Sequence, residues 1–236
     1  VKILTKQFAP DSGRVTWRGG LRIGFLTQVD VIDDEISIAE AVVGDRPEFE
    51  WASDPKIRDV LSGLVADLDW HQKVGTLSGG QRRRVALAAL LAGEYDVVFL
   101  DEPTNHLDVD GVAWLANHLQ TRWPKNVGGL AVITHDRWFL DAVCNLTWEV
   151  YGGRIEPFEG GYAAYVQQRA ERSRQADAIE SRRQNLLRKE LAWLGRGAPA
   201  RTAKPKFRID AALALIGNEP PPRNSVELAK LATTRV

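Results

Sequence analysis

Val97-Val98-Phe99-Leu100-Asp101-Glu102-Pro103-Thr104-Asn105-His106-Leu107-Asp108 sets a short apolar run directly against two acids. Val97 to Leu100 is uninterrupted, β-branched and aromatic, which predicts a strand buried on both faces, as in a parallel sheet. Pro103 stops it. Carboxylates at the carboxyl end of a parallel strand stand where α/β sheets bind ligands. One acid there suits Mg²⁺, which takes oxygen ligands and phosphate. The neighbouring acid is then free to polarise a water.

Leu130 to Thr134 reads as a second buried strand, and it ends in His135-Asp136. If the two strands are neighbours, His135 lies beside Glu102, where an imidazole can contact a terminal phosphate or orient an attacking water. Upstream, Ser78-Gly79-Gly80 offers a hydroxyl and bare backbone N–H groups just before a helix, an anion-binding end. Arg82, Arg83 and Arg84 then crowd the first turn, which the helix dipole disfavours. An acidic neighbour or a bound anion would offset that. Each piece has a plainer reading: a surface turn, a simple helix start, a structural histidine. Their order and spacing together favour the site.

Composition bounds the rest. The 236 residues allow one large domain or one and a half smaller ones, and 44% hydrophobic content supports a substantial core. Lys plus Arg and Asp plus Glu are equal at 31 each. Cys144 is the only cysteine, so no disulfide framework exists and a reducing compartment is expected. No apolar run approaches the roughly 18 residues of a membrane helix, and no signal peptide is visible. The chain contains no methionine, a hint that Val1 is not the natural start.

Taken in order, Val1 to Leu4 suggests the tail of a helix. Arg14 to Trp17 and Leu21 to Leu26 alternate around Gly19-Gly20, which predicts a β-hairpin. Gln28 follows the second strand. Ile36 to Val43 and Ile57 to Ala66 predict short amphipathic helices, and Val112 to Leu119 and Trp138 to Val143 two more. Thr147 to Tyr151 and Arg154 to Phe158 flank Gly152-Gly153 as a second hairpin. Tyr162 to about Leu194 is a long polar helical run, with a further helix near Phe207 to Ile216. Pro220-Pro221-Pro222 is a stiff linker. Between Gln167 and Arg208, 12 basic residues face only 4 acidic ones, a density that attracts polyanions.

Leu77-Ser78-Gly79-Gly80-Gln81, the strand with DEPTNHLD at 101–108 and ITHD at 133–136 together resemble an ATP-binding cassette ATPase. Asn105-His106, the run His135 to Asp141, Gly160 to Tyr165, and Lys189 to Leu194 leading into Gly197 to Arg201 resemble the ABC-F family, closest to its Uup-like actinobacterial members. The resemblance implies an α/β P-loop NTPase nucleotide-binding domain, with a mainly parallel sheet and a helical subdomain, followed by an α-helical linker. It divides the chain into a cassette (1–161, helical subdomain about 31–93), a basic helical linker (162–224) and the start of a second cassette (225–236). ATP and Mg²⁺ are the implied cofactors. Asp101 and Gln28 would hold the metal, Glu102 would polarise the water and His135 would contact the γ-phosphate. Ser78, Gly79, Gly80 and Gln81 would face nucleotide held by a second cassette or a homodimer mate, and Asp108 would couple the two sites. Arg182, Arg183, Arg188, Lys189, Arg196, Arg201, Lys204, Lys206 and Arg208 would reach ribosomal RNA or tRNA. The family's GxxxxGK[ST] phosphate loop is expected just before Val1, for no Gly-Lys pair occurs in the chain. Without that loop ATP binding by this chain alone would be impaired.

The implied function is a cytoplasmic, ribosome-associated ATPase in translation or antibiotic protection. Two alternatives stay open: an ATP-binding subunit of a drug or macrolide exporter, and a nucleic-acid-binding ATPase acting on branched DNA.

Overall fold

A computed structural model describes residues 2–26, 32–124, 127–195 and Leu213. Gln28, Arg196, Arg201, Lys204, Lys206, Arg208, the helix expected near 207–216 apart from Leu213, and the start of a second cassette expected at 225–236 lie outside the described residues. The chain divides into two units, Val1–Tyr165 and Val166–Val236.

In the first unit, β1 (Ile23–Leu26), β2 (Val97–Asp101) and β3 (Gly129–Ile133) form a parallel sheet in that order. Leu26 pairs with Leu100, and Leu100 with Val132. Between β1 and β2 run α1 (Ile38–Val43), α2 (Glu48–Ser53), α3 (Pro55–Leu64), a 3₁₀ turn (Val74–Thr76) and α4 (Gly79–Ala92). After β2 come α5 (Val109–Thr121), then β3, α6 (Arg137–Val143) and the antiparallel pair β4 (Leu146–Tyr151) and β5 (Arg154–Glu159). The turn Gly152-Gly153 takes φ of 56° and 73°, a left-handed pair that only glycine adopts cheaply. α7 (Tyr162–Gly195) follows.

The helices start where side-chain oxygens meet orphan N–H groups. Ser37 and Glu40 make a reciprocal capping box on α1. Asp54 accepts from the Lys56 N–H at the start of α3, with Pro55 at the first position. Asp136 accepts from the Phe139 N–H at 3.0 Å to open α6. Ile57, Val60 and Leu64 form the buried stripe of α3, and with Ile38, Val74, Val85, Leu87, Val98, Leu100, Leu115 and Phe139 they make one core.

Three expectations are corrected. α2 was not foreseen around Trp51, although Pro47 before it and Glu48 and Glu50 in its first turn suit a helix start. No hairpin forms around Gly19-Gly20, because Arg14 to Trp17 contains no strand. A turn is present, with the Leu21 N–H donating to Arg18 at 3.3 Å. The stretch before it instead folds against the N-terminal turn: the Trp17 indole donates to the Leu4 carbonyl at 3.1 Å and Lys6 sits 4.4 Å over its ring. β1 thus takes its partner from β2. Residues 2–6 form turns rather than a helix end, with Lys6 at φ 58°.

α3 and α5 lock through one polar cluster. Asp59 accepts from the Trp114 indole N–H at 3.2 Å and lies 3.0 Å from His118 Nδ1. The other imidazole nitrogen, Nε2, faces the Arg122 guanidinium at 3.3 Å. Arg122 also donates to the Leu91 and Gly93 carbonyls at the end of α4, at 2.8 and 2.6 Å. Gly63 permits the close approach, since a Cβ there would lie 2.2 Å from the Trp114 ring. Burial, assisted by the nearby Arg122 charge, holds His118 below its usual pKa despite Asp59. The imidazole is therefore neutral, donating from Nδ1 and accepting at Nε2. Folding favours this neutral form, so the unfolded chain binds more protons below the ordinary value of 6.5. Stability present above that pH is lost as pH falls through it. Melting curves from pH 8 to 5 are expected to show Tm declining on the acid side, and His118→Gln should flatten that decline.

Candidate functional site

β2 and β3 end at the same rim because they are parallel and adjacent. Glu102, the first residue past β2, has φ 50°, left-handed for a non-glycine residue. Its N–H donates to the Ile133 carbonyl at 2.7 Å. Its Oε1 lies 3.3 Å from His135 Nε2, and its Oε2 accepts from the His135 backbone N–H at 3.4 Å. The Glu102 side chain is 14% exposed and the His135 side chain 99%. A sheltered carboxylate thus touches a ring that stands in solvent. Thr104 and Thr134 hydroxyls meet at 3.2 Å, and Thr134 also accepts from the Asp136 N–H, which ties the two strand-end loops together.

The start of α4 lies against the same loops. Ser78 Oγ accepts from the Gln81 N–H at 3.3 Å, and Gln81 Oε1 accepts from the Ser78 N–H at 2.9 Å, a full capping box. Gly79 has open space where a Cβ would sit. At Gly80 a Cβ would come 3.3 Å from that of His106, so glycine gives the DEPTNHLD loop room against the helix. His106 itself sits at φ 68°. Asp108 is engaged as the cap of α5, with Oδ1 accepting from the Gly111 N–H at 2.8 Å.

The three arginines each fasten α4 to a different segment. Arg82 pairs with Asp34. Arg83, only 8% exposed, donates to the main-chain carbonyl of Asp101. Arg84 forks onto Asp67 at 2.6 and 2.7 Å and donates to the Leu64 carbonyl. That fork holds the Asp67 carboxyl below its usual pKa and raises Arg84 further. α4 begins at Gly79, so only Arg82 falls in the first turn and Arg83 and Arg84 open the second, not the first turn as expected. Asp34 and Asp67 are the acidic neighbours of Arg82 and Arg84. They lie 48 and 17 residues from their arginines, so no local pattern pointed to them.

Asp101 closes β2 at this rim. Among the described residues no group of three or more His, Cys, Asp or Glu side chains could hold a metal ion. A hard cation that keeps most of its shell as water and phosphate oxygen needs only one or two carboxylates, and the donors here fit that case in kind. Gln28 is outside the described residues. In the second unit, Arg182, Arg188 and Lys189 are exposed on α7. Arg183 is instead half-buried and donates through Nε and a terminal nitrogen to Glu180, both at 2.8 Å.

Two family models described as ABC transporter match residues 1–105 and 148–222. The chain is 45% identical over 160 residues to the uncharacterized ABC transporter ATP-binding protein YfmR of Bacillus subtilis, covering 68% of this chain and 25% of that one. It is 46% identical over 159 residues to the energy-dependent translational throttle protein EttA of Mycobacterium tuberculosis, covering 67% and 28%. To the ATP-binding protein ChvD of Rhizobium radiobacter it is 46% identical over 133 residues, covering 56% and 45%. The chain thus spans less than half the length of these relatives. Among solved structures, the archaeal ribosome recycling factor aABCE1, in complex with ribosomal stalk protein aP1, aligns with TM-score 0.60 at 26% identity, over 72% of this chain and 33% of that one. The RNase-L inhibitor aligns with TM-score 0.56 at 26% identity, over 68% and 31%.

Ser78→Ala removes one half of the capping box and should cost about 1 kcal/mol in denaturant unfolding. Ser78→Asn keeps a capping oxygen and is expected to restore most of that loss.

Proposed function

Because the chain belongs to the ATP-binding cassette family and has the α/β fold of its nucleotide-binding domains, we propose that it works as an ATP-hydrolysing, ribosome-associated protein of the ABC-F type. The observation that carries this reading is the Glu102–His135 pair at the common rim of β2 and β3. Support for the ribosome comes from the relatives: EttA is named a translational throttle and aABCE1 a ribosome recycling factor. Among the described residues no helix is long and apolar enough to cross a membrane. We place the protein's work in the cytoplasm, with translation control favoured over antibiotic protection because the names of EttA and aABCE1 state steps of translation and none states resistance.

In the proposed mechanism Glu102 accepts a proton from the attacking water. Its backbone is pinned to Ile133, and its carboxylate is largely shielded, so it needs little rearrangement to act. His135, held at one nitrogen beside Glu102 and otherwise in solvent, reaches for a terminal phosphate oxygen. Asp101 and Gln28 would hold Mg²⁺, which supplies charge neutralisation on the phosphates when bound. Ser78, Gly79, Gly80 and Gln81 offer a hydroxyl, N–H groups and an amide at the start of α4 to nucleotide carried by a second cassette. Asp108 caps α5 at the loop that would meet that cassette. On α7, Arg182, Arg188 and Lys189 offer charge to RNA phosphates.

Glu102→Gln in the intact protein is expected to lower ATP turnover about 100-fold or more and to increase ribosome co-sedimentation in ATP. Unchanged turnover with no added association counts against the reading, and co-purification with a membrane partner would favour an exporter subunit. Replacing Arg182, Arg188 and Lys189 together by Glu should weaken ribosome co-sedimentation and make its salt dependence shallower. Preserved ribosome binding with lost affinity for branched DNA would favour the DNA-acting alternative.

A further inference from the structure

We propose that Arg83 is a positioning residue that couples α4 to the carboxylate of Glu102. The peptide joining Asp101 to Glu102 has two polar atoms, and both are held. Arg83 on α4 donates to its carbonyl oxygen, and the Ile133 carbonyl on β3 accepts from its N–H at 2.7 Å. The peptide plane is therefore clamped between a helix and a strand. Its orientation sets φ of Glu102, which stands at 50°. A non-glycine residue stays in that region only where its surroundings over-determine it. Release of the carbonyl lets the plane rotate toward ordinary φ, and the carboxylate then swings off His135 Nε2, now 3.3 Å away.

Burial makes this coupling effective. Arg83 is buried, whereas its neighbours Arg82 and Arg84 are only partly so. A guanidinium in a sheltered position bonds a carbonyl more strongly than one in solvent. α4 begins at Gly79 and carries Arg83 in its second turn. A shift of the Ser78–Gln81 end is thus transmitted to the Asp101–Glu102 peptide through one side chain. The first turn of α4 would in this way report its own occupancy to the carboxylate. The inference rests on the ATPase reading and adds to it a route from α4 to Glu102.

The test is ATP turnover by the intact protein carrying Arg83→Met or Arg83→Lys, with affinity for a fluorescent ATP analogue and melting temperature measured in parallel. Arg83→Met is expected to lower kcat about 10- to 100-fold, with KM and analogue affinity within about twofold of wild type. Arg83→Lys should recover part of kcat, because an ammonium can donate to the same carbonyl. In single-turnover measurements on Glu102→Gln, adding Arg83→Met should cause no further loss, since both changes act through one carboxylate. Wild-type kcat in Arg83→Met, or a fully additive loss on Glu102→Gln, overturns the proposal. If Arg83→Met does not fold, Arg83→Lys decides: reduced kcat at wild-type affinity and melting temperature supports coupling, and any other pattern overturns it. Absence of ATP turnover in the wild-type protein overturns the ATPase reading as well. A hydrolysing wild type beside an unaffected Arg83→Met overturns this inference alone.

Discussion

The parallel pairing of β2 with β3 is the constraint from which the site follows. Parallel strands end on the same side, so Asp101 and Ile133 come level, and the residues after them meet. An antiparallel pairing of the same segments would have sent Glu102 and His135 to opposite ends. Runs of β-branched residues favour the parallel arrangement, but the expected burial on both faces is not met. β2 is fully buried only at Val98 and Leu100, β3 is half-buried from Gly129 to Val132, and Ile133 is exposed. Val98 and Leu100, fully buried, hold the register that sets Asp101 opposite Ile133.

Around that rim the chain solves an electrostatic problem of its own making. Three consecutive arginines close to the start of α4 repel one another, and Arg82 in the first turn also opposes the helix dipole. Asp34 and Asp67 take two of the charges, and the third is turned inward to a backbone carbonyl. Each contact ties α4 to a different part of the first unit: the segment before α1, the end of α3 and the end of β2. What looks locally unfavourable thereby becomes the means by which the start of α4 is fixed relative to Glu102. The Asp59–His118–Arg122 chain does the same work at the other end, joining α3, α5 and the last carbonyls of α4.

Local patterns carried much of this. The apolar run before Asp101, the Gly152-Gly153 turn, the helix start at Ser78 and the long polar helix were legible because each depends on neighbours within a few residues. So was the adjacency of Glu102 and His135, once two strands were placed side by side. The hairpin around Gly19-Gly20 was misread for the same reason. Its turn chemistry was real, but a two-stranded ribbon is marginal alone, and Trp17 found Leu4 and Lys6 while β1 found β2. Arg183 was read with the exposed basic residues of α7, yet Glu180 sits one turn away and binds it.

By itself, the sequence determined the strands on either side of the acids, the acids at the end of β2, the Gly152-Gly153 hairpin and the long helix α7, since those follow from hydrophobic period and breakers. The tertiary structure alone decided which partner each arginine takes, the left-handed backbone of Glu102 and the closeness of His106 to Gly80. Those depend on groups distant in the chain brought together by burial, and residue spacing does not encode such distances.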